Sequence, residues 1–260
     1  MTVAPPRLYK TEAIVLRQRR LGEADRILTI LTPIYGKMQV KAKGVRRTTS
    51  RMAGHLQPLT RCLIQIARGH ANDVIAGCQT LDSFRPLRDD LDRLSRALYA
   101  AELVELITPE HAPAPATYRL LTDSLHRLAA SQTDPDLVLR YLEMRLLHQA
   151  GLRPQLDRCV GCGGELAPKQ NFFAPLAGGA VCSLCAAGAR PLSLNALKVL
   201  RLLQRAPYNE IAGLKLPPAL SQEVERHLHA YVVAMLERDV NAAAFIQRLR
   251  RGAPRQALEV

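Results

Sequence analysis

The chain has no tryptophan and few other aromatic residues, with four phenylalanines and seven tyrosines among 260 residues. Proteins that bind single-stranded nucleic acid commonly stack its bases on aromatic side chains. Only Tyr9, Tyr35 and Phe84 lie within the first 84 residues. If this part of the chain binds nucleic acid, we therefore expect binding to be mainly electrostatic and only weakly dependent on base sequence.

Long apolar runs and signatures of catalysis are missing as well. No stretch reaches the roughly 18 apolar residues of a membrane-spanning helix, and no apolar signal segment follows Met1, which predicts a cytoplasmic protein without a membrane partner. The chain has neither a Walker-type phosphate loop nor a G-x-G-x-x-G motif, and its histidines are scattered. Glu23 and Asp25 are interpreted as turn residues, because no further acidic residue accompanies them. The sequence predicts no catalytic residue and therefore no enzyme.

The positive charge is concentrated near the N-terminus. The formal net charge is +13, and residues 1–85 contain 15 basic and 5 acidic residues. Residues 86–150 contain 7 basic and 10 acidic residues, and residues 151–260 contain 14 and 8. A basic first third on an otherwise nearly balanced chain indicates a polyanionic partner, with nucleic acid ahead of an anionic membrane.

Six cations lie within the fifteen acid-free residues 37–51, and they are our candidates for nucleic-acid contacts. They are Lys37, Lys41, Lys43, Arg46, Arg47 and Arg51. Strand alternation predicts that the three lysines share one face, and the arginines follow in a polar loop. Such a cluster can follow a phosphate backbone, whereas the alternative interpretation is a solvated charge run without a ligand.

Four of the six cysteines form two C-x-x-C pairs. Cys159 and Cys162 make the first pair, Cys182 and Cys185 make the second, and nineteen residues separate the inner cysteines. This spacing is typical of a structural four-thiolate zinc site, in which every ligand position is filled by protein. Paired disulfides and a redox C-x-x-C are the alternatives, but disulfides require an oxidising compartment, and a redox motif needs only one copy beside a βαβ pattern. Cys62 and Cys78 lie in apolar runs and are expected to be buried small hydrophobes rather than nucleophiles.

The hydrophobic patterns predict an α+β multidomain protein with an N-terminal OB-type barrel and an α-helical domain that carries an inserted zinc module. Strands are predicted at residues 8–18, 25–32, 37–43, 61–67 and 73–81. An SH3-like barrel is the nearest alternative. Helical periodicity follows at residues 87–106, 117–130, 135–150, 194–205, 221–238 and 242–250. The predicted domains are the barrel at 1–84, the helical domain at 85–156 and 191–250, the zinc-ribbon-like insert at 157–190 and a flexible tail at 251–260.

Several segments in this order resemble the RecO family of bacterial recombination-repair mediators. They are TEAIVL at 11–16, GEADRILTILT at 22–32, YGK at 35–37, KGVRR at 43–47, RLLHQAGLRP at 145–154 and the four cysteines. The resemblance covers nearly the whole chain. It implies an OB domain, a helical domain with a zinc module, one structural Zn²⁺ and no enzymatic activity.

The same resemblance implies partners and a role. The chain is expected to bind single- and double-stranded DNA in the nucleoid, and to anneal complementary strands, including strands coated by single-stranded DNA-binding protein (SSB). The acidic C-terminal tail of SSB is expected on the helical domain, and with RecR the protein is expected to assist the loading of RecA. Two alternatives stay open from the residues alone: an RNA-binding or transcription-associated protein, and an interaction scaffold for acidic peptides.

Overall fold

The structure is a computed structural model that describes residues 7–69, 72–237, 240, 242, 243 and 246. It divides into two compact units. The first contains Met1–Ala130 and Val240–Val260, and the second contains Ser131–Asp239.

The first unit is built around a closed five-stranded barrel. Its strands are β1 (Leu8–Leu21), β2 (Asp25–Thr32), β3 (Gly36–Ala42), β4 (Arg61–Ala67) and β5 (Asp73–Asp82). They close in the order β1-β2-β3-β5-β4, and every pairing is antiparallel except the short parallel contact between β3 and β5. This is the arrangement of an OB-type barrel, so the predicted barrel is confirmed.

Alternation along the strands separates the barrel interior from its outside. On β3, Met38, Val40 and Ala42 are buried in the interior, together with apolar residues from the other four strands. Lys37, Gln39 and Lys41 lie at the intervening positions and point outward. A bulge between Val15 and Arg17 lets the long strand β1 change partners from β4 to β2.

The helices that follow the barrel in the first unit are α1 (Arg85–Arg88), α2 (Leu91–Ile107) and α3 (Pro115–Ala129). Asp90 caps α2 because its side chain accepts hydrogen bonds from the backbone N–H groups of Asp92 and Arg93. Glu12 on β1 binds both Arg61 at 2.8 Å and the hydroxyl of Tyr118 at 3.0 Å, which fastens α3 to the barrel. These two donors, Arg61 first, outweigh partial burial and lower the pKa of Glu12.

The second unit contains the helices α4 (Pro135–Gln149), α5 (Leu194–Arg205), α6 (Tyr208–Ile211) and α7 (Pro218–Leu236). Between α4 and α5 lies a small sheet of β6 (Asn171–Ala174), β7 (Gly179–Val181) and β8 (Arg190–Leu192), with β6 in the centre. The cysteine-rich segment belongs to this part of the chain, as predicted. None of the helices among the described residues is long and apolar enough to cross a membrane.

Several predicted boundaries were wrong. Helix α7 begins at Pro218 rather than Ser221, because proline fits the first turn of a helix where no N–H is required. The short helices α1 and α6 and the three-residue strands are too brief to produce a readable period. Most of the helix predicted at 242–250 and all of the predicted tail at 251–260 lie outside the described residues.

Candidate metal centre and nucleic-acid interface

The two C-x-x-C pairs come together in space. The four Sγ atoms of Cys159, Cys162, Cys182 and Cys185 all lie within 4.8 Å of one another. Cys162 and Cys182 are 3.8 Å apart at Sγ. Four sulfurs that surround a tetrahedral zinc ion at about 2.3 Å would be about 3.8 Å apart, so the cluster fits a four-thiolate ion. A disulfide needs about 2.05 Å, and all six cysteines are free thiols.

Backbone geometry brings the two cysteine turns close to each other. The first turn closes through a hydrogen bond from the Gly163 N–H to the Cys159 carbonyl at 2.8 Å, and Gly163 has a φ of +73°. The second closes from the Cys185 N–H to the Cys182 carbonyl at 3.1 Å. A Cβ atom on Gly161 would lie 3.0 Å from the Cys185 sulfur, so the approach of the turns favours glycine at this position.

The thiols do not titrate alike. Burial opposes ionisation of Cys159, but backbone N–H groups of Cys182, Cys162 and Gly161 outweigh it and lower the Cys159 pKa to about 6. The Cys182 N–H lies 3.3 Å from this sulfur. Hydrogen bonds to the neighbouring cysteines raise the Cys185 pKa to about 12. Without a cation, a Cys159 thiolate would therefore lie beside the protonated thiol of Cys185, whereas an ion of charge +2 would favour ionisation of both.

The remaining two cysteines are not reactive thiols. Cys62 is buried inside the barrel, and burial raises its pKa to about 12. Cys78 is half-buried against the same core, and burial raises its pKa as well. Both residues are thus small apolar side chains of the barrel, as expected from the sequence.

Phe173 and Glu223 help to fix the cysteine module, which comprises the four cysteines with β6, β7 and β8, to the helices. Phe173 of β6 is buried against the rings of His227 and Tyr231 on α7, with centroid distances of 5.3 and 5.8 Å. On the same helix, Glu223 accepts hydrogen bonds from the N–H of Ser193 at 2.7 Å and from its hydroxyl at 2.8 Å. Ser193 in turn caps α5, so Glu223 links α7 to the start of the next helix after β8.

Three of the six predicted cations are held by partners within the first unit. Lys37 Nζ donates to the Glu105 carbonyl near the end of α2 at 2.7 Å. Lys41 Nζ lies 2.9 Å from Asp25, and an Arg46 guanidinium nitrogen donates to the Gly22 carbonyl at 3.0 Å. The side chains of Lys43, Arg47 and Arg51 are exposed and make no hydrogen bond or ion pair in the part of the chain that the structure describes, although Lys43 attracts Asp25 electrostatically. A phosphate could reach these three side chains without displacing a hydrogen bond or ion pair.

Asp25 organises the basic loop. One of its carboxylate oxygens accepts the Gly44 N–H at 2.8 Å, and the other faces Lys41. These donors, the Gly44 N–H first, hold the pKa of Asp25 below its usual range. Asp25 is the first residue of β2 rather than a turn residue, and its contacts give it a structural role.

The sequence analysis did not select Arg19 and Arg20. It ended the first strand at residue 18, whereas β1 continues to Leu21 and places both arginines in exposed positions on the hairpin. Arg19 donates to the side-chain oxygen of Gln39 at 3.1 Å. The available signal was the basic run Arg17-Gln18-Arg19-Arg20 directly before a glycine turn, which suits the exposed end of a strand.

Comparison with known proteins identifies the family. A family model described as "Recombination protein O N terminal" matches residues 7–84, and one described as "Recombination protein O C terminal" matches residues 88–243. The chain belongs to the RecO family. The resemblance noted in the sequence is thereby confirmed, and the two matches together span both compact units.

Full-length relatives agree with the family models. The chain is 41% identical over 248 residues to "DNA repair protein RecO" of Roseiflexus sp., which covers 94% of this chain and 87% of the relative. It is 38% identical over 247 residues to the protein of that name from Dehalococcoides mccartyi, covering 94% and 97%. The protein of the same name from Symbiobacterium thermophilum is 38% identical over 249 residues, covering 94% and 98%.

Acid should loosen the contact between the cysteine module and α7 through His227. Burial lowers the pKa of this histidine; nearby Arg226 and Arg190 act in the same direction, whereas Glu223 and the Pro191 carbonyl oppose them. Its folded pKa thus lies below the unfolded value of 6.5, so the unfolded state binds the proton more tightly and stability falls as the pH drops below 6.5. We expect the β6 and α7 amides of the wild-type protein to lose protection from hydrogen exchange over this range, and those of His227→Phe to lose less.

The matched control is His148→Gln, which removes an exposed imidazole from the same unit. It should follow the wild-type pH profile. If His227→Phe follows that profile too, His227 is not the group that titrates.

Proposed function

We propose that the protein is a DNA-repair and recombination mediator without enzymatic activity. It binds single- and double-stranded DNA, anneals complementary strands, including SSB-coated ones, and with RecR assists the loading of RecA. Membership in the RecO family is the observation that carries this proposal. The proposal includes a cytoplasmic, nucleoid-associated location, and it retains the domain boundaries at 84/85, 156/157, 190/191 and 250/251.

The OB-type barrel supplies the DNA-binding surface in this proposal. All six predicted cations are retained, but their contacts make some of them more available to phosphate than others. Lys43, Arg47 and Arg51 can meet phosphates directly, because their side chains are exposed and make no hydrogen bond or ion pair among the described residues. Lys37, Lys41 and Arg46 would first have to exchange a carbonyl or carboxylate partner for a phosphate. Affinity then comes mainly from counterion release and depends little on base sequence.

One structural Zn²⁺ in the cysteine cluster is part of the proposal. Cys159, Cys162, Cys182 and Cys185 would hold it, since their sulfurs match the spacing of a tetrahedral site. Four cysteines leave no coordination position for water or substrate, so the ion would cross-link the two turns and would not take part in catalysis. Backbone bonds extend this link, because the Val160 N–H donates to the Ala180 carbonyl of β7 at 3.0 Å.

A groove beside α5 is our candidate site for the acidic tail of SSB. The cavity has a volume of about 560 Å³ and is lined by Lys198, Arg201, Leu202, Arg205, Ala206, Pro207 and Glu210. Leu202 is 39% exposed at its surface, and Lys198 is exposed beside it. Arg201 and Arg205 both contact Asp157, which leaves Lys198 as the cation most available to a carboxylate. Apolar surface next to a cation complements a peptide that carries both acidic and apolar side chains.

Strand annealing tests the proposed function. Complementary oligonucleotides, bare or coated with the cognate SSB, are mixed with the protein over a series of salt concentrations and without ATP. We expect faster annealing on both substrates, with an effect that fades as salt rises. Binding without annealing, with RNA preferred over DNA, would instead favour the RNA-binding alternative.

Lys198→Glu should slow annealing of coated strands only, because bare strands do not require the groove. An equal loss of annealing rate on both substrates would contradict the tail site.

Charge removal in the loop should change the salt dependence of DNA binding. Lys43→Gln/Arg47→Gln should lower the slope of log Kobs against log salt by about 1.4 on single strands, since each phosphate contact contributes about 0.7. Binding should weaken to a similar degree for all base sequences. Lys37→Met is a useful contrast, because it removes the hydrogen bond to Glu105 and should mainly lower thermal stability. An unchanged slope in the double variant would remove the loop from the DNA site.

Loss of one cysteine ligand should release the metal. In Cys159→Ser we expect zinc content, measured by atomic absorption, to fall far below one ion per chain and the melting temperature to fall with it, because metal binding and folding of small zinc modules are coupled. Cys78→Ser is the control, since this residue packs against the barrel core and is not one of the four clustered cysteines. If zinc content and melting temperature stay unchanged in Cys159→Ser, the metal assignment is wrong.

A further inference from the structure

The β1–β2 hairpin extends beyond the part of the barrel that β4 covers. Residues Leu8 to Ile14 of β1 pair with β4, whereas Arg17 to Leu21 pair with β2. We call residues 17–26 the hairpin arm. Arg19 and Arg20 lie near its tip, and both are exposed.

The hairpin arm is tied to the basic loop, which we define as residues 43–51. Two bonds come from Arg46, whose N–H donates to the Ala24 carbonyl at 2.9 Å and whose guanidinium donates to the Gly22 carbonyl at 3.0 Å. A third comes from the Gly44 N–H to Asp25. Lys41, directly before the loop, adds the ion pair with Asp25 at 2.9 Å. Arm and loop are therefore neighbouring parts of one surface.

The charges of the two segments reinforce each other. Among the described residues, the side chain of Arg19 is bonded only to the neutral Gln39, and the side chain of Arg20 makes no hydrogen bond or ion pair. Their two positive charges add to those of Lys43, Arg47 and Arg51 in the loop. The acidic residues of the arm are Glu23, which is exposed, and Asp25, whose carboxylate is already occupied by donors. The surface thus keeps an excess of unpaired cations, which favours a polyanion.

We infer that Arg19 and Arg20 contact the same phosphate backbone as the basic loop, and that Asp25 positions the loop against the hairpin arm. This inference rests on the proposed function, because it takes DNA as the polyanion. It extends the candidate site from one loop to a loop and a strand end. Single strands are the preferred ligand for the test, since a flexible backbone can follow both segments.

Salt titration of single-stranded DNA binding tests the arginines. Arg19→Gln/Arg20→Gln should lower the slope of log Kobs against log salt by about 1.4, as two phosphate contacts of about 0.7 each are lost. The matched control is Arg85→Gln/Arg119→Gln, which removes the same charge from exposed positions on α1 and α3 of the same unit. The control should keep the wild-type slope. Circular dichroism melting of each variant confirms that the barrel is folded.

The outcomes separate this inference from the proposed function. If the wild-type protein binds DNA with a steep salt dependence but Arg19→Gln/Arg20→Gln has the same slope, the hairpin arm is not part of the site and only the inference fails. Equal slope losses in the variant and its control would reduce the effect to net charge and would also overturn it. If the wild-type protein does not bind DNA in a salt-dependent way, the proposed function itself fails.

The role of Asp25 can be tested by whether its substitution strengthens or weakens DNA binding. If its carboxylate acted only as a negative charge beside phosphates, Asp25→Ala and Asp25→Asn would both strengthen binding. If Asp25 positions the loop, removing the acceptor for the Gly44 N–H should weaken DNA binding, because the loop must then be ordered on binding. We expect Asp25→Ala to bind DNA about threefold to tenfold more weakly than the wild type. Asp25→Asn keeps that acceptor and should bind at least as tightly as the wild type. Tighter binding by both variants would overturn the positioning role.

Discussion

The alternation of side chains along β3 is the constraint on which the first unit depends. Met38, Val40 and Ala42 have to face inward, since they fill the barrel with the apolar residues of the other strands. The same period of two then forces Lys37, Gln39 and Lys41 outward. A shift of one residue would bury two lysines and expose the core, so the barrel and the position of its charges are specified together. Asp25 connects the loop that follows to β3, because it contacts both Lys41 and the N–H of Gly44.

Cations in this unit serve two different purposes, and their partners distinguish them. Lys37 binds a carbonyl near the end of α2, where a positive charge is favoured by the helix dipole. Arg17 pairs with Glu105 on the same helix at 2.8 Å. These residues stabilise the packing of α2 on the barrel, although their sequence neighbourhood is as basic as that of the exposed arginines. A charge count along the sequence therefore overestimates the number of cations that are free to bind phosphate.

Much of the architecture follows from local sequence patterns, whereas the partner that each side chain binds does not. Strand alternation, the proline at the start of α4 and the C-x-x-C spacing are signals within a few residues, and each led to the correct element. The hydrogen bond between Lys37 and the Glu105 carbonyl joins residues 68 apart, and the one between Tyr118 and Glu12 joins residues 106 apart. No period in the sequence specifies such pairs. The same holds for the end of β1, where Arg19 and Arg20 have little β-pattern of their own and are strand residues because β2 pairs with them.

In the cysteine module, the four thiols can contribute more to stability than the small amount of apolar packing does. Its strands are three and four residues long, and such a sheet is too small to be stable alone. Its largest buried side chain, Phe173, packs outward against α7 rather than inward. In the cysteine cluster only Cys159 is buried, whereas Cys162 is exposed and Cys182 and Cys185 are half-buried, so the cluster is not an apolar core. Backbone segments also approach closely, as at Gly179, where a Cβ would lie 2.1 Å from the Gln155 carbonyl oxygen. The turns that carry Cys159 and Cys182 thus have little apolar surface to hold them together, and coordination of one ion by all four sulfurs would supply the cohesion that packing does not.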